Sequence, residues 1–149
     1  MEIFIPGNVP SSKNSKVKCS RGIFHSPAVR HYLQKIGVSK YSVTRRTVEN
    51  YKTRPNLFEA AVLPVKEKML SHAVLPIPLI VGMYFIRDSK RNFDWLNIAQ
   101  ITCDLLVAHQ VIPDDSMNVF VPFPILRDGR WYHIDKTKPG CILSFYLQQ

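Results

Sequence analysis

The chain has 149 residues, of which 46% are hydrophobic, a length and composition that fit one globular domain and exclude a disordered chain. Lys and Arg number 20 against 11 Asp and Glu, and the net charge of +9 at pH 7 favours a polyanionic partner. The sequence shows neither a secretory leader nor a run of ~20 apolar residues, so we expect a soluble, cytoplasmic protein with no membrane partner. Three widely spaced cysteines indicate reduced thiols, and Cys103 and Cys141 lie in apolar surroundings typical of a core.

The first part of the chain is predicted to form two short strands, a basic loop and a helix. Residues 2–6 alternate polar and apolar side chains, which is typical of a strand. Residues 8–21 combine turn formers with Lys and Arg, which predicts a loop that faces phosphates. Residues 22–25 favour a second strand, and Ser26-Pro27 is a typical start for a helix that ends at Gly37.

The middle of the chain is predicted to hold a helix and the central strand. Residues 38–56 are basic without clear periodicity, and we interpret them as a connector or an insertion. Helical spacing resumes over residues 57–70, with a turn or kink at Pro64. Residues 76–87 carry apolar side chains on both faces, which predicts a strand in the middle of a sheet.

The last third is predicted to add one helix and the remaining strands. Over residues 94–109 the apolar positions recur at helical spacing, so one face of this helix is expected to be core. Asp128-Gly129 predicts a two-residue hairpin turn. Strands are expected at residues 117–123, 125–127, 130–134 and 141–147. The whole pattern predicts a single α+β domain, with two or three helices packed on a mixed sheet of four to six short strands.

Acidic residues are concentrated in the second half, whereas the positive excess lies in the first half. Residues 1–70 hold 13 basic and 4 acidic residues, and residues 71–149 hold 7 of each. Carboxylates near a phosphate are repulsive unless a cation bridges them, so this combination indicates metal-dependent phosphate chemistry. The alternative is that the acids are solvated surface groups or helix caps. Five of the acids fall within 28 positions, namely Asp88, Asp94, Asp104, Asp114 and Asp115.

Asp94 and Asp115 flank the helix predicted over residues 94–109. The two ends of that helix are ~22 Å apart by rise alone, so the acids meet only if the chain after His109 turns back along the helix. They would then offer Mg²⁺ the hard oxygen ligands that it prefers, and the ion could activate water beside a phosphate. An N-cap at Asp94 and turn residues at Asp114-Asp115 are the alternative. One ridge of the helix is predicted to carry Asp94, Asn97, Gln100 and Asp104, which lie three or four residues apart.

The run of residues 91–115, RNFDWLNIAQITCDLLVAHQVIPDD, resembles the signature of the RusA-type Holliday junction resolvases, D-x-D-N-L-x-K-x-x-x-D-A-L followed by G-x-x-x-D-D. Residues 9–14, VPSSKN, are similar to that family's P-P-S-x-N loop, and His25-Ser26 before a helix fits its next element. The matching positions in the longer run are Asp94, Asn97, Ile98, Asp104, Asp114 and Asp115. The chain has Leu96 where the family has its second Asp, Gln100 where it has Lys, and Gln110 where it has the Gly of the turn.

The resemblance implies an α+β homodimer with one Mg²⁺ site per subunit, for which Mn²⁺ could substitute. It implies a bacterial or phage-encoded endodeoxyribonuclease that cleaves branched DNA such as a four-way junction, whose two-fold symmetry matches that of the dimer. The metal ligands that it implies are Asp94, Asp114 and Asp115, with Asn97 and Gln100 as positioning groups in the catalytic set and Asp104 as a structural residue. The groups implied to bind DNA are Lys13, Asn14, Lys16, Lys18, Arg21, Lys90 and Arg91.

Two other functions remain open from the sequence. A catalytically impaired protein that binds junctions is one alternative, because Leu96 replaces a family Asp. A general nucleic-acid-binding domain, with its acids as caps, is another. Asp88 is a candidate substitute carboxylate, with a surface ion pair as its alternative. Trp131 is expected in the core or a dimer interface, with stacking on a base as its alternative.

Overall fold

The structure is a computed structural model, and it describes residues 1–11, 16–20, 22–36, 57–71 and 77–146. The prediction of an α+β domain is confirmed, because three helices accompany a mixed five-stranded sheet in these residues. The helices are α1 (Pro27–Lys35), α2 (Leu57–Ser71) and α3 (Trp95–Ala108). The strands are β1 (Glu2–Pro6), β2 (Lys16–Cys19), β3 (Gly22–His25), β4 (Leu79–Arg87), β5 (Phe120–Pro124), β6 (Tyr132–Ile134) and β7 (Gly140–Tyr146).

Strand β4 is the middle of the main sheet, as its apolar pattern predicts. All of its residues are buried except Ile80, which is half-buried. Strand β7 pairs with it antiparallel on one side, and β1 pairs antiparallel with the far edge of β7. On the other side β5 and β6 both pair with β4 in parallel, one after the other along its length. A strand with neighbours on both sides and cover on both faces needs apolar side chains at every position.

The helix starts follow from their capping residues. The Ser26 hydroxyl accepts a hydrogen bond from the backbone N–H of Val29 at 3.4 Å, and Pro27 occupies the first turn, as predicted. Asp94 caps α3 in the same way, accepting from the N–H of Leu96 at 3.0 Å. Helix α2 continues through Pro64, which lacks the N–H that would bond one turn back. The predicted end of α1 at Gly37 lies outside the described residues.

The buried core lies between the main sheet and the three helices. Helix α3 contributes Ile98, Ala99, Leu105 and Leu106 to it, so the predicted apolar face is confirmed. Cys103 and Cys141 are buried free thiols, as expected from their surroundings. The apolar face of α3 is buried, so a site can form on its opposite, polar face.

Three predictions of local structure are wrong in detail. Residues 16–19 form β2, which pairs antiparallel with β3, rather than belonging to a loop. Strand β5 begins at Phe120 instead of residue 117, because the N–H groups of Val119 and Phe120 both donate to the carbonyl of Ser116 and close a turn. The Asp128-Gly129 turn is present with both residues at positive φ, but only one bridge joins its arms. Residues 132–134 pair with β4 instead.

Candidate functional site

The polar ridge predicted on α3 is present and reaches solvent. We define the α3 ridge as Asp94, Asn97, Gln100 and Asp104. The Asn97 amide donates to Asp94 Oδ2 at 2.9 Å, and the Gln100 amide donates to Asp104 Oδ1 at 2.8 Å. Asp94 and Gln100 are exposed, whereas Asn97 and Asp104 are half-buried. Two successive side-chain pairs therefore order these groups along one accessible face of the helix.

Helix α3 ends in a Schellman motif that reverses the direction of the chain. The N–H of Val111 donates to the carbonyl of Leu106, and the N–H of Gln110 donates to that of Val107, both at 2.9 Å. Gln110 has a φ of 56°, in the left-handed region that favours glycine. The backbone here therefore adopts a conformation typical of glycine although the side chain is Gln.

After the Schellman motif the chain passes through the core before it reaches Asp114 and Asp115. Val111 and Ile112 are buried, and the chain then emerges at Pro113. Burial raises the pKa of the Cys103 thiol to about 12, and the negative charges of Asp115 and Asp104 add to the increase. The two carboxylates therefore act on the same thiol, but the approach of Asp115 to Asp94, on which a shared metal site depends, stays a prediction.

Asp94 occupies a different position on the same helix. Its two carboxylate oxygens accept separate hydrogen bonds, Oδ1 from the N–H of Leu96 and Oδ2 from Asn97. Cys103 lies nine residues further along, which is about 14 Å of helical rise. Asp94 is thus the N-cap of α3, as one of the two interpretations predicted. Among the acids of the α3 ridge, Asp104 is closer to Asp115 in the sequence than Asp94 is.

The acids offer Mg²⁺ suitable atoms without forming a complete cage. Within the residues that the structure describes, no three side chains of His, Cys, Asp or Glu are grouped so that they could hold a metal ion. Asp114 and Asp115 are exposed carboxylates, and the N–H of Asp115 donates to Asp114 Oδ1 at 2.9 Å. Mg²⁺ commonly takes one or two carboxylates and completes its octahedron with water and substrate phosphate, so this donor set fits the ion.

The basic groups predicted to bind DNA fall in two places. Lys90 and Arg91 are exposed in the segment between β4 and α3, a few residues before Asp94. Lys16 and Lys18 lie on β2. Lys13, Asn14 and Arg21 lie outside the described residues, as does the basic connector of residues 38–56.

Arg87 is a further residue that sequence reasoning did not assign to the site. It is 8% exposed, its Nη1 donates to the carbonyl of Val9, and its guanidinium lies 4.9 Å from the ring centroid of Phe93. Burial lowers its pKa. The side chain therefore joins the loop that leads to the N-terminal basic segment with the segment that carries Lys90 and Arg91. The sequence signal that could have identified Arg87 is a single basic residue at the end of an otherwise apolar strand.

A buried histidine fixes α2 against the end of α3. His109 Nδ1 lies 2.6 Å from Glu59 Oε2, the Phe58 ring lies 4.7 Å from the imidazole, and Lys66 donates to Glu59 at 2.8 Å. Burial lowers the pKa of His109, although the Glu59 carboxylate acts in the opposite direction. His109 caps α3 at its C-terminus, so this contact holds the helix end from which the chain reverses.

A scan against protein-family models finds no matching family, and a search of curated proteins finds no match. Among the helices of the described residues, none is long and apolar enough to cross a membrane. The resemblance to RusA-type resolvases stays a prediction.

Proposed function

We propose that this chain is a Mg²⁺-dependent, structure-selective endodeoxyribonuclease that cleaves four-way junctions or related branched DNA. The observation that supports it most is the pair of exposed carboxylates, Asp114 and Asp115, that follows the Schellman motif at the end of α3. The net charge of +9 supports a polyanionic substrate, because phosphate contacts by Lys and Arg release condensed counterions. Exposed acids on such a basic chain need a cation before a phosphate can approach them.

Each group in the proposed site has a separate task. Asp94, Asp114 and Asp115 would hold the ion, with a DNA phosphate completing its ligands, if DNA binding brings these acids together, because no three acids of the described residues form such a group in the free chain. The ion would lower the pKa of a bound water and stabilise charge on the scissile phosphate. Asn97 orients Asp94 through its 2.9 Å hydrogen bond, and Gln100 orients Asp104 through its own. The sugar-phosphate backbone of the DNA would be bound by Lys13, Asn14, Lys16, Lys18, Arg21, Lys90 and Arg91.

The assembly and setting are part of the same proposal. A four-way junction presents two equivalent strands related by a dyad, so a homodimer with one site per subunit could cut both. Such an enzyme would work in the cytoplasm of a bacterium, encoded by the host or by a phage. Mn²⁺ would be an alternative ion, since it accepts the same oxygen ligands.

Binding without cleavage is the second candidate, and Leu96 is the observation that favours it. Leu96 is 71% exposed in the first turn of α3, where the family has an Asp. A large apolar side chain in that place contributes no ligand to a metal ion. Asp94 also engages both oxygens in capping the helix, as a purely structural residue would. A chain with these properties could recognise a junction and leave it intact.

Cleavage of a synthetic four-way junction in Mg²⁺ separates the two candidates. The parent should cut, and Asp94→Asn and Asp115→Asn should each lower the rate by roughly 100-fold or more, since even indirect partners of a metal ligand matter 10- to 100-fold. Asp128→Asn is the matched control, because Asp128 is an exposed acid in a left-handed turn that Asn tolerates.

The outcomes point to different functions. Tight binding of the junction by the parent without cleavage at any concentration of Mg²⁺ or Mn²⁺ would replace the nuclease by the binding protein. Equal affinity for junction and linear duplex at ~150 mM salt would leave only a general nucleic-acid-binding domain. Equal cleavage by the parent and both Asn variants would remove these acids from the site.

A further inference from the structure

Two neighbouring aromatic side chains lie on the surface beside the candidate site. Trp131 is 59% exposed and Tyr132 is 42% exposed, at the start of β6. We call this pair the β6 platform. Trp131 was expected in the core or a dimer interface. The core position is wrong, because the residue directly follows a turn and is largely exposed, whereas the dimer interface stays a prediction. Leu126, in the other arm of that turn, is also largely exposed.

The position of the platform is fixed relative to the site. Tyr132 pairs with Phe85 of the central strand, which anchors its backbone. Its ring lies edge-on to Phe93, with ring centroids 4.9 Å apart and planes at 90°. Phe93 in turn stacks under the guanidinium of Arg87 and directly precedes Asp94. The exposed aromatic surface therefore adjoins both the segment with Lys90 and Arg91 and the start of α3.

The charged side chains around the β6 platform indicate which kind of partner it binds. Residues 126–138 carry four basic side chains, at Arg127, Arg130, Lys136 and Lys138, against two acidic ones at Asp128 and Asp135. Arg130, Lys136 and Lys138 are exposed. Because Arg127 is paired with Glu2, the exposed cations Arg130, Lys136 and Lys138 carry the positive charge that attracts a nucleic acid to this surface. Aromatic rings flanked by cations are the usual platform for unpaired bases.

We propose that Trp131 and Tyr132 stack against unpaired bases of branched or single-stranded DNA, next to the backbone held by Lys90 and Arg91. This inference rests on the proposed function for its substrate class and adds a means of recognition to it. A perfect duplex keeps its bases stacked inside, so the platform would favour DNA whose strands separate at a branch point. Selectivity for structure would then come from the rings, and affinity from the cations.

The test uses oligonucleotides that carry 2-aminopurine at an unpaired position, whose fluorescence falls when it stacks. The parent should quench the probe and should prefer a bulged or branched DNA over a matched linear duplex. Trp131→Ala and Tyr132→Ala should each reduce the quenching and weaken binding by about 5- to 150-fold, which corresponds to one lost base stack. Trp131→Phe and Tyr132→Phe should retain most of both effects, because an aromatic ring remains.

Tyr146→Ala is the matched control. Tyr146 is an equally exposed aromatic, at 50%, but it lies on β7 against Phe123 and away from Phe93. Its replacement should change neither the quenching nor the preference for branched DNA. Because Trp131 is the more exposed of the two platform residues, Trp131→Ala keeps the test valid should Tyr132→Ala fail to fold.

Three results would overturn the inference. If both Ala variants quench the probe and bind DNA as the parent does, the platform does not stack bases. The proposed function is then unaffected, provided that the parent cleaves the junction. If Trp131→Ala instead converts a dimer into a monomer in sedimentation, the surface is covered by a second copy. If the parent binds no DNA, the inference and the proposed function fail together, whereas binding with quenching but no cleavage removes the nuclease alone.

Discussion

The two ends of α3 are stabilised in different ways, and the difference bears on which acids are available for chemistry. At the N-terminus a carboxylate does structural work, because both oxygens of Asp94 accept hydrogen bonds within the first turn. At the C-terminus backbone groups close the helix, and Asp114 and Asp115 emerge beyond it as exposed acids. A ligand at Asp94 therefore meets two oxygens that already accept hydrogen bonds, whereas at Asp114 the N–H of Asp115 engages Oδ1 and leaves Oδ2 for a ligand.

Arg87 supports the N-terminal end, and its replacement should have the largest effect on stability. Arg87→Ala removes a buried hydrogen bond from a cation and leaves the carbonyl of Val9 unpaired, so we expect a loss of about 2–3 kcal/mol in the free energy of unfolding. Chemical denaturation measures the change. The exposed Arg91 provides the matched control, since Arg91→Ala should leave stability within ~0.5 kcal/mol while weakening DNA binding. Equal stability of the two variants would contradict the structural role of Arg87.

Replacing Asp94 should be able to change both the stability of the protein and its cleavage activity, whereas replacing Asp115 should change the activity alone. Asp94→Ala removes the N-cap and is expected to lower the free energy of unfolding by about 1 kcal/mol, whereas Asp94→Asn keeps a good cap and loses only the charge. Asp115→Asn should leave thermal unfolding nearly unchanged. Melting and cleavage measured on the same three variants separate the two effects. A large destabilisation by Asp115→Asn would show that this acid is structural too.

The left-handed backbone of Gln110 slightly destabilises the C-terminal end of α3. Gln110→Gly should raise the free energy of unfolding by about 1 kcal/mol, because glycine adopts a φ of 56° without the clash that a Cβ brings. Gln110→Ala keeps the Cβ and serves as the control, with little expected change. A loss of stability in the Gly variant would mean that the Gln side chain contributes more than its backbone conformation removes.

His109 should make the same end sensitive to acid. Burial lowers the pKa of His109 below its usual 6.5, so the unfolded chain takes up a proton at higher pH than the folded chain does. The free energy of unfolding should therefore fall as the pH drops below about 6.5 and should continue to fall until the folded-state pKa is passed. His109→Gln should flatten this dependence between pH 7 and pH 5, whereas the exposed His31→Gln should not. Identical pH profiles for the parent and His109→Gln would exclude the histidine as the cause.

The features that follow from local chemistry could be predicted, and those that depend on distant contacts could not. The capping of α1 by Ser26 and of α3 by Asp94 involves neighbours two or three residues away, so the sequence reveals it. The contact of Arg87 with Val9 spans 78 residues, and no periodicity signals it. Strand β2 was hidden because Ser, Asn and Lys around it are typical of turns, although Lys16 to Lys18 alternates as a strand does.

The candidate site shows the same division. The α3 ridge follows from helical spacing and was predicted from residues three and four apart. The Schellman motif at the end of α3 depends on the left-handed Gln110, a residue that gives no turn signal because glycine is the usual choice there. Trp131 was expected in the core or a dimer interface, and its exposure follows from a turn of two residues at positive φ.

The binding of Mn²⁺ in the presence of an uncleavable four-way junction tests the central claim most directly. If the acids beside α3 need DNA to complete a metal site, the parent should bind about one ion per chain, more tightly with the junction than without it, because linkage between the two ligands is reciprocal. Asp115→Asn and Asp94→Asn should lose that ion while Asp128→Asn keeps it. Equal Mn²⁺ affinity in all four proteins would contradict a metal site on this helix.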